Sequence, residues 1–539
     1  MKRTDREFAM YLYYGIGLVL MCCLAAPSAK AQEQTDPADT ANTQSRSDQT
    51  VALEAQEFDV GAIVLDNLVA LKPSDFTDIL GDYAARTLGR EEIGTLVNRI
   101  AARARERGYV FASAVIERQS LGAGVLKVRI EEGVIDTIRI KGSEHPAVRR
   151  QLEVLADGHP VTLNRLERNL LLAGDVAGVR LRSPRYFEDD GRRVLEVKTS
   201  HEAFAGRVEL SNEGTQPVGP VRARIALDAN ALFSSRDAVD LTYTVTPTAP
   251  EELQRIAARY GLRFGKQGTV ISLAASHSAI EPGAYLESRE IVGDATRISI
   301  RMRHPLQRSQ KLSVWLDSEV EWTQLRQDRA GDLARRNRVA TLRTGVRSRA
   351  RVAGGYGFAS LTLSQGLDAL GATPLGSSLS SRPDAAPDFT SLAAYVQWNR
   401  PLENGISLFL SGQGLVASGP LPITEDFGLG GTRFLRGYNF NERSGDRGIA
   451  GLVELRYDWE TDLALIRDLQ FYAFADGGVV GNLDGGRGGG SLASGGGGVR
   501  TALAKGFDVE VLLALPLTGP RFDSGDTSGR LLFNIGHAF

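Results

Sequence analysis

Side chains capable of chemistry are present in this sequence, but not in catalytic company. The six histidines (His145, His159, His201, His277, His304 and His537) are scattered. No His-Glu-x-x-His pair sets two imidazoles on one helical face for zinc. Neither a Gly-x-Ser-x-Gly elbow nor a phosphate-cradling Gly-x4-Gly-Lys-Ser/Thr loop occurs. The glycine-rich stretch Gly485–Gly498 has no following Lys-Ser/Thr and no Asp-bearing calcium repeat, and reads as a flexible connector between strands. No catalytic, metal-binding or cofactor-binding residue is therefore assigned. What stands out is charge on alternate positions. In Gln470–Asp476, the residues Gln470, Tyr472, Phe474 and Asp476 share one face, and Phe471, Ala473 and Ala475 the other.

The elements that must carry such charges differ along the chain. Lys2, Arg3 and Arg6 precede an uncharged, mostly apolar run, Tyr11–Ala26, and Ala29-Lys30-Ala31 is a small-x-small cleavage pattern. Residues 1–31 read as a secretory signal, with a membrane anchor as the alternative; the run is short for a bilayer span. Cys22 and Cys23, the only cysteines, lie inside it, so a cleaved chain has no disulfide framework. Residues 32–57 form a polar linker rich in Ser, Thr, Asp and Gln, a composition unable to bury a core.

From residue 58 the texture becomes α+β. Ile93, Leu96, Val97, Ile100 and Ala104 recur at helical spacing before Gly108, and strand-like runs follow at Tyr109–Ile116, Val125–Ile130 and Thr137–Ile140. Two short amphipathic helices, His145–Ala156 and Leu163–Leu172, and a strand, Arg193–Thr199, then partly repeat the pattern. Two small α+β modules, 58–135 and 136–202, account for this, with one irregular domain as the alternative.

In residues 203–539 alternation of period two takes over. Leu312, Val314, Leu316 and Val320 interleave with Ser313, Trp315, Asp317 and Glu319. Apolar residues facing lipid and polar ones facing water inside is the pattern of a transmembrane barrel, which leaves no strand edge unpaired. The length suffices for sixteen antiparallel strands with spans of about 9–11 residues. The chain ends in the same alternation: Leu531, Phe533, Ile535, His537 and Phe539 share a face. A terminal aromatic of this kind is common in bacterial outer-membrane barrels, where it serves as the assembly signal; an ordinary edge strand is the alternative. The charge balance, 63 basic to 65 acidic residues, gives no sign of a nucleic-acid partner. A mean hydropathy of −0.16 is compatible with a barrel, because alternation averages out.

These stretches resemble the TpsB family of two-partner secretion transporters, the ShlB/FhaC/HecB-like haemolysin secretion/activation proteins of the POTRA-plus-barrel superfamily. Arg107-Gly108-Tyr109-Val110, Ile116–Gln119 and Gly124–Gly133 are similar to its first POTRA module, and Leu163–Gly178 to its second. Gly206–Gly214, with an Asn-x-Gly turn, is similar to the first barrel strand, and His304–Ser309 to a further barrel stretch. Gly430–Tyr438 (GGTRFLRGY) resembles the family's VRGY loop, with Leu435 where Val is usual, and Phe474–Gly478 matches its F-x-D-x-G motif. A departure lies in Gln32–Thr50, which is polar and poorly patterned where many members carry a pore-plugging helix; whether this chain has one is left open by the sequence.

The resemblance implies an outer-membrane translocator of a Gram-negative bacterium with its modules in the periplasm. It would export an unfolded exoprotein bearing an N-terminal secretion domain, without ATP. Further partners would be outer-membrane lipid and, during biogenesis, the barrel-assembly machinery. A barrel-insertion factor of the same superfamily is the alternative. Within that picture Arg436, Gly437, Tyr438 and Asp476 form a lumen loop lock, with the Arg436 guanidinium meeting the inward-facing Asp476 carboxylate. Gly430, Gly431, Phe474 and Gly478 support the two motifs. Phe533, Ile535 and Phe539 carry the assembly signal, and Tyr109 and Gln119 are partner-binding candidates.

Overall fold

Why the chain forms two kinds of core becomes plain in the computed structural model, which describes residues 57–119, 123–486 and 488–539. The expected signal, both cysteines and nearly all of the polar linker lie outside the described residues. The chain divides into an N-terminal unit ending at His201 and a barrel unit running from Glu202 to Phe539.

The N-terminal unit contains strands β1 (Phe58–Val60), β2 (Ala62–Asp66), β3 (Arg86–Leu88), β4 (Ser113–Val115) and β5 (Val125–Glu131), with helices α1 (Thr77–Tyr83) and α2 (Arg90–Glu106). A three-stranded sheet, β2-β5-β4, pairs β2 with β5 in parallel and β4 with β5 antiparallel. Helix α2 buries Leu96, Ile100 and Ala104, the stripe expected from sequence, against Leu126, Val128 and Ile130. The Glu92 side chain accepts the Gly89 N–H at 3.0 Å, closing the first turn of α2. The expected strand Tyr109–Ile116 is shorter, because Ala112 N–H bonds back to Tyr109 O at 2.9 Å and makes a turn; only Ser113–Val115 is extended.

A second sheet follows in the order β6-β8-β7, from β6 (Thr137–Gly142), β7 (Val179–Asp189) and β8 (Arg192–His201). It packs with α3 (Pro146–Leu152) and α4 (Leu163–Gly174), which bury Val148, Leu152 and Leu172. The Thr162 hydroxyl caps α4 by accepting Arg165 N–H at 3.4 Å. The 11-residue β7 was not expected: its alternation mixes charged and apolar residues on both faces, Val179-Arg180-Leu181-Arg182 apart.

Sixteen antiparallel strands close the barrel. The first eight are β9 (Phe204–Ser211), β10 (Arg222–Asn230), β11 (Asp237–Val245), β12 (Gln254–Phe264), β13 (Thr269–Ile280), β14 (Ile291–Arg308), β15 (Leu312–Arg329) and β16 (Asp332–Val352). Three more, β17 (Gly355–Leu367), β18 (Thr390–Pro401) and β19 (Ile406–Ala417), lead to a long loop. That loop carries a small hairpin of β20 (Phe427–Leu429) and β21 (Arg443–Gly445). The last five are β22 (Arg447–Trp459), β23 (Ile466–Gly481), β24 (Gly490–Leu503), β25 (Phe507–Pro516) and β26 (Arg530–Ala538), and β26 pairs with β9 to close the ring. Outward positions such as Ile300, Val320 and Val346 are exposed for lipid, whereas Asp317, Glu319 and Asp476 turn inward. Strands β14, β15 and β16, of 18, 18 and 21 residues, exceed the ~9–11 needed to span a bilayer.

The expected connector Gly485–Gly498 is a correction: most of it is β24, and the connection between strands is Asn482–Gly489. Its glycines lie beneath aromatic rings. A Cβ on Gly498 would stand 2.6 Å from the Tyr472 hydroxyl, and one on Gly496 3.0 Å from the Phe474 ring and 2.0 Å from Leu513 O. The glycines reflect close packing in a paired strand, not slack.

Candidate functional site: a loop locked inside the barrel

Between β19 and β22 the chain turns back into the lumen. Gly430 and Gly431, with φ of 106° and 105°, end β20, and the loop then descends to Leu435-Arg436-Gly437-Tyr438. All of Leu435, Arg436 and Tyr438 are buried, and Leu435 joins Phe409, Leu429, Phe434, Leu452 and Phe474 in one apolar cluster. Tyr438 N–H bonds Leu435 O at 2.9 Å, so the four residues make a tight turn.

That turn touches the wall through several bonds. The Arg436 Nη1 donates to Glu454 Oε2 at 2.9 Å, its Nε to Thr432 O at 3.3 Å, and its guanidinium lies 4.4 Å from the centre of the Phe474 ring. Asp476 Oδ2 accepts the backbone N–H of Arg436 at 3.3 Å, while Oδ1 accepts the Ser494 hydroxyl. Ser494 Oγ in turn accepts Gly437 N–H at 3.1 Å. A Cβ on Gly437 would fall 2.8 Å from the backbone carbon of Leu515, so only glycine lets the turn approach β25. Arg521 Nε donates to Gly437 O at 3.0 Å, and the Tyr438 hydroxyl meets Thr518 Oγ1 at 3.0 Å.

The expected meeting of Arg436 and Asp476 is made through the Arg436 backbone N–H, and what the expectation lacked is Glu454: Nη1 of the guanidinium reaches this acid on the neighbouring strand, where it stands opposite Phe474. Glu454 is fully buried and also receives Arg456 Nε at 2.7 Å and Arg500 Nη1 at 2.6 Å. One carboxylate thus gathers three guanidiniums. Arg500 continues the network to Glu510 at 2.9 Å, which accepts the Tyr472 hydroxyl at 2.6 Å. Phe474 is the platform for Arg436, and Gly478 admits Leu429, whose Cδ2 would lie 2.7 Å from a Cβ there.

Charge also anchors the outer part of the loop. Both oxygens of Glu425 accept from Nη2 of Arg343 of β16, at 2.7 and 2.8 Å, on a different part of the wall. Asp446, at the loop's end, accepts Leu421 N–H and Leu483 N–H at 2.7 and 2.8 Å and pairs with Arg382 at 3.3 Å. Sequence reading missed Glu454, Arg500, Ser494, Glu425 and Asp446. Alternation along β22 places Glu454 inward, a signal already in the residues; which inward acid the arginine would choose depends on cross-strand register, which alternation does not fix.

The other expected site residues lie elsewhere. Phe533 and Ile535 face outward on β26, and Phe539 exchanges two backbone hydrogen bonds with Gly206 of β9, at 2.8 and 3.0 Å, across the closing seam. Tyr109 packs against the core of the first sheet. Gln119 bonds the central strand β5: its Nε2 donates to Lys127 O at 2.7 Å and its Oε1 accepts Lys127 N–H at 2.8 Å. Among the described residues no group of three or more His, Cys, Asp or Glu could hold a metal.

The sequence matches the models of one family of barrels and of one type of periplasmic module. Residues 192–501 match the haemolysin secretion/activation protein ShlB/FhaC/HecB family. The chain belongs to this family. Residues 58–133 match the ShlB-type POTRA domain. Outer membrane transporter CdiB of Dickeya dadantii (strain 3937) is 21% identical over 442 residues, covering 80% of this chain and 78% of the relative. CdiB from Escherichia coli shares the fold with a TM-score of 0.75 at 18% identity, covering 92% of this chain and 93% of that one. BamA from Haemophilus ducreyi lacking POTRA domains 1–3 is more distant in shape, with a TM-score of 0.51 at 13% identity over 90% of this chain and all of that one. As a member of the ShlB/FhaC/HecB family, the chain is an outer-membrane transporter of two-partner secretion, with its POTRA domains in the periplasm.

Proposed function

We propose that this transporter passes one dedicated, unfolded exoprotein with an N-terminal secretion domain through the barrel lumen, without ATP, and that the Leu435–Tyr438 turn is the lock of that path. The observation that carries this reading is Glu454. A carboxylate with no exposed surface, holding arginines from the loop, β22 and β24, makes the loop's position a discrete state and not a loose drape. Burial strengthens each of these charge-assisted contacts, and a single displacement of the turn breaks several at once. The chain acts as a conduit and not as an enzyme. Outer-membrane lipid contacts the outward strands, and the barrel-assembly machinery reads the strand ending in Phe539.

The periplasmic modules offer exposed sheet edges on which an extended segment of the exoprotein adds as a further strand. Gln119 satisfies both backbone groups of Lys127 on the central strand β5, so the edges left for an incoming strand are those of β2 and β4. The test is secretion of an exoprotein with an N-terminal secretion domain, co-expressed with this chain and scored in the medium. Removal of residues 58–200 should leave a barrel that inserts and exports nothing. Wild-type export by that truncated barrel would overturn the module assignment. Restored outer-membrane barrel insertion in an assembly-deficient strain would favour the insertion-factor alternative instead.

A further inference from the structure

The lumen has two chemically different walls, and the difference lies in the balance of charge. On β22 to β25 the inward carboxylates Glu454, Asp476 and Glu510 are served by Arg456, Arg500 and the loop's Arg436. On β14 to β16 arginines outnumber the acids. The middle strand, β15, presents Asp317, Glu319 and Glu321 to the lumen, and arginines flank this column on both sides. Arg303 and Arg347 share Asp317 at 2.9 and 2.7 Å; Arg301 takes Glu319 at 2.7 Å; Arg297 and Arg343 share Glu321 at 3.5 and 3.0 Å. Among the described residues, three wall carboxylates, with the loop's Glu425 on Arg343, thus hold five guanidiniums. Arg308 and Arg349 add two more over the face of Trp315, at 4.8 and 5.8 Å. The next strand but one, β12, adds Arg255.

The arrangement follows from strand register. Arg301 stands opposite Glu319 and Arg303 opposite Asp317, while Glu319 stands opposite Arg343. Each acid therefore separates cations that would otherwise repel at close range, and fixes their direction into the lumen. Shared acids restrain the arginines without neutralising them. The planar forks keep donors in excess over the acceptors present, which is the condition for holding further carboxylates. Glu425 of the loop is an internal instance: it already docks on Arg343 of this wall.

We propose that the β14–β16 wall is a recognition surface for acidic stretches of an extended polypeptide, and sets a charge preference on the chain in transit. This rests on the lumen being the export path. A wall with one sign in excess concentrates the opposite sign near it and, with many weak contacts, lets a chain slide without being trapped. Glu425 would be displaced from Arg343 as the loop withdraws, handing that fork to an acidic side chain of the cargo.

The test uses the full chain in detergent micelles and two dye-labelled, unstructured peptides of equal length, one Glu-Ser and one Lys-Ser, followed by fluorescence anisotropy. The variant combines Arg255→Gln, Arg297→Gln and Arg347→Gln. It removes three positive charges, yet Asp317 keeps Arg303 and Glu321 keeps Arg343. Heat-modifiable gel mobility reports that the variant is folded. The Glu-Ser peptide should bind the wild type at least about tenfold more tightly than the Lys-Ser peptide, and the variant should lose about tenfold for the acidic peptide alone. Added salt should erase the difference. Equal binding of the two peptides, or undiminished acidic binding by a folded variant, overturns the proposal. Binding is read here without transport, so a failure of export in cells tells against the conduit reading and leaves this result standing.

Discussion

Leu96, Ile100 and Ala104 of the first periplasmic module are shut away from solvent against Leu126 and Ile130, while its arginines Arg99 and Arg103 lie outside. In the barrel, Glu454, Arg456 and Arg436 are shut away and Ile300, Val320 and Leu531 are outside. The same chain uses opposite rules because the solvents differ. Water surrounds the modules, so apolar burial drives them. Lipid surrounds the barrel, so the outward face must be apolar and the polar side chains turn inward. What the difference teaches is where specificity resides: in the modules packing makes shape, whereas in the barrel buried charge makes a position that can be left. Changes to buried charge should therefore cost most in the barrel and least in the modules.

The largest effect is expected at Glu454. Glu454→Ala takes the shared carboxylate from three guanidiniums, of which Arg500 keeps Glu510, and breaking a buried pair from one side costs about 3–5 kcal/mol. The barrel's heat-modifiability midpoint should fall and export should be lost. Arg436→Ala removes only one partner, leaves Arg456 and Arg500 on Glu454, and should disturb barrel stability less while still unlocking the turn. In a double-mutant cycle Arg436 should couple to Glu454 more strongly than to Asp476, because Asp476 holds the loop's backbone N–H and keeps that bond in Arg436→Ala. Independent, additive effects of Arg436 and Glu454 would remove the lock from the argument.

How far these residues could be read beforehand depends on period and register. Two-residue alternation was enough to turn Asp476 and Phe474 inward and Phe533 outward, and helical spacing was enough for α2. Both are local signals. The partner of Arg436 was not readable, since Asp476 and Glu454 both face inward on adjacent strands and a single sequence does not state their register. The glycines of β24 were misread for another reason: low strand propensity is overridden where Tyr472 and Phe474 need room.

Next in size is the lipid face. Phe533→Asp places a charge on an outward position, which costs up to about 2–4 kcal/mol for a cation near the midplane and less for an acid or near an interface. Lower outer-membrane abundance by fractionation is expected, and Phe539 deletion should act similarly by weakening the seam with Gly206. Normal abundance in both would mean that this strand is not read during assembly.

A smaller loss is expected at Glu132, the modules' nearest counterpart to Glu454. Its buried carboxylate accepts the N–H groups of Val69, Ala70 and Leu71 at 2.8–3.1 Å. Glu132→Gln removes the charge and one acceptor and should cost ~1–3 kcal/mol, seen as faster hydrogen exchange at residues 69–71. Protection equal to wild type would show that the charge is dispensable there.

The smallest effect should be a pH dependence confined to the second module. His145 is buried beside His201, with ring centres 4.8 Å apart, and burial first, then the neighbouring imidazole, lowers its pKa from the ordinary 6.5. The folded state therefore keeps His145 neutral, whereas the unfolded chain takes up a proton as pH falls through 6.5. The unfolded state binds more protons in that window, so stability is full above it and declines with acidification until the folded ring also titrates. Amides of α3, which begins one residue after His145, should exchange faster just below 6.5 than above it, beyond the chemical dependence on pH. In His145→Gln that extra acceleration should vanish, while β14 to β16 keep the same protection throughout. An unchanged acid response in His145→Gln would assign the effect to another group and leave the modules without a buried titration of their own.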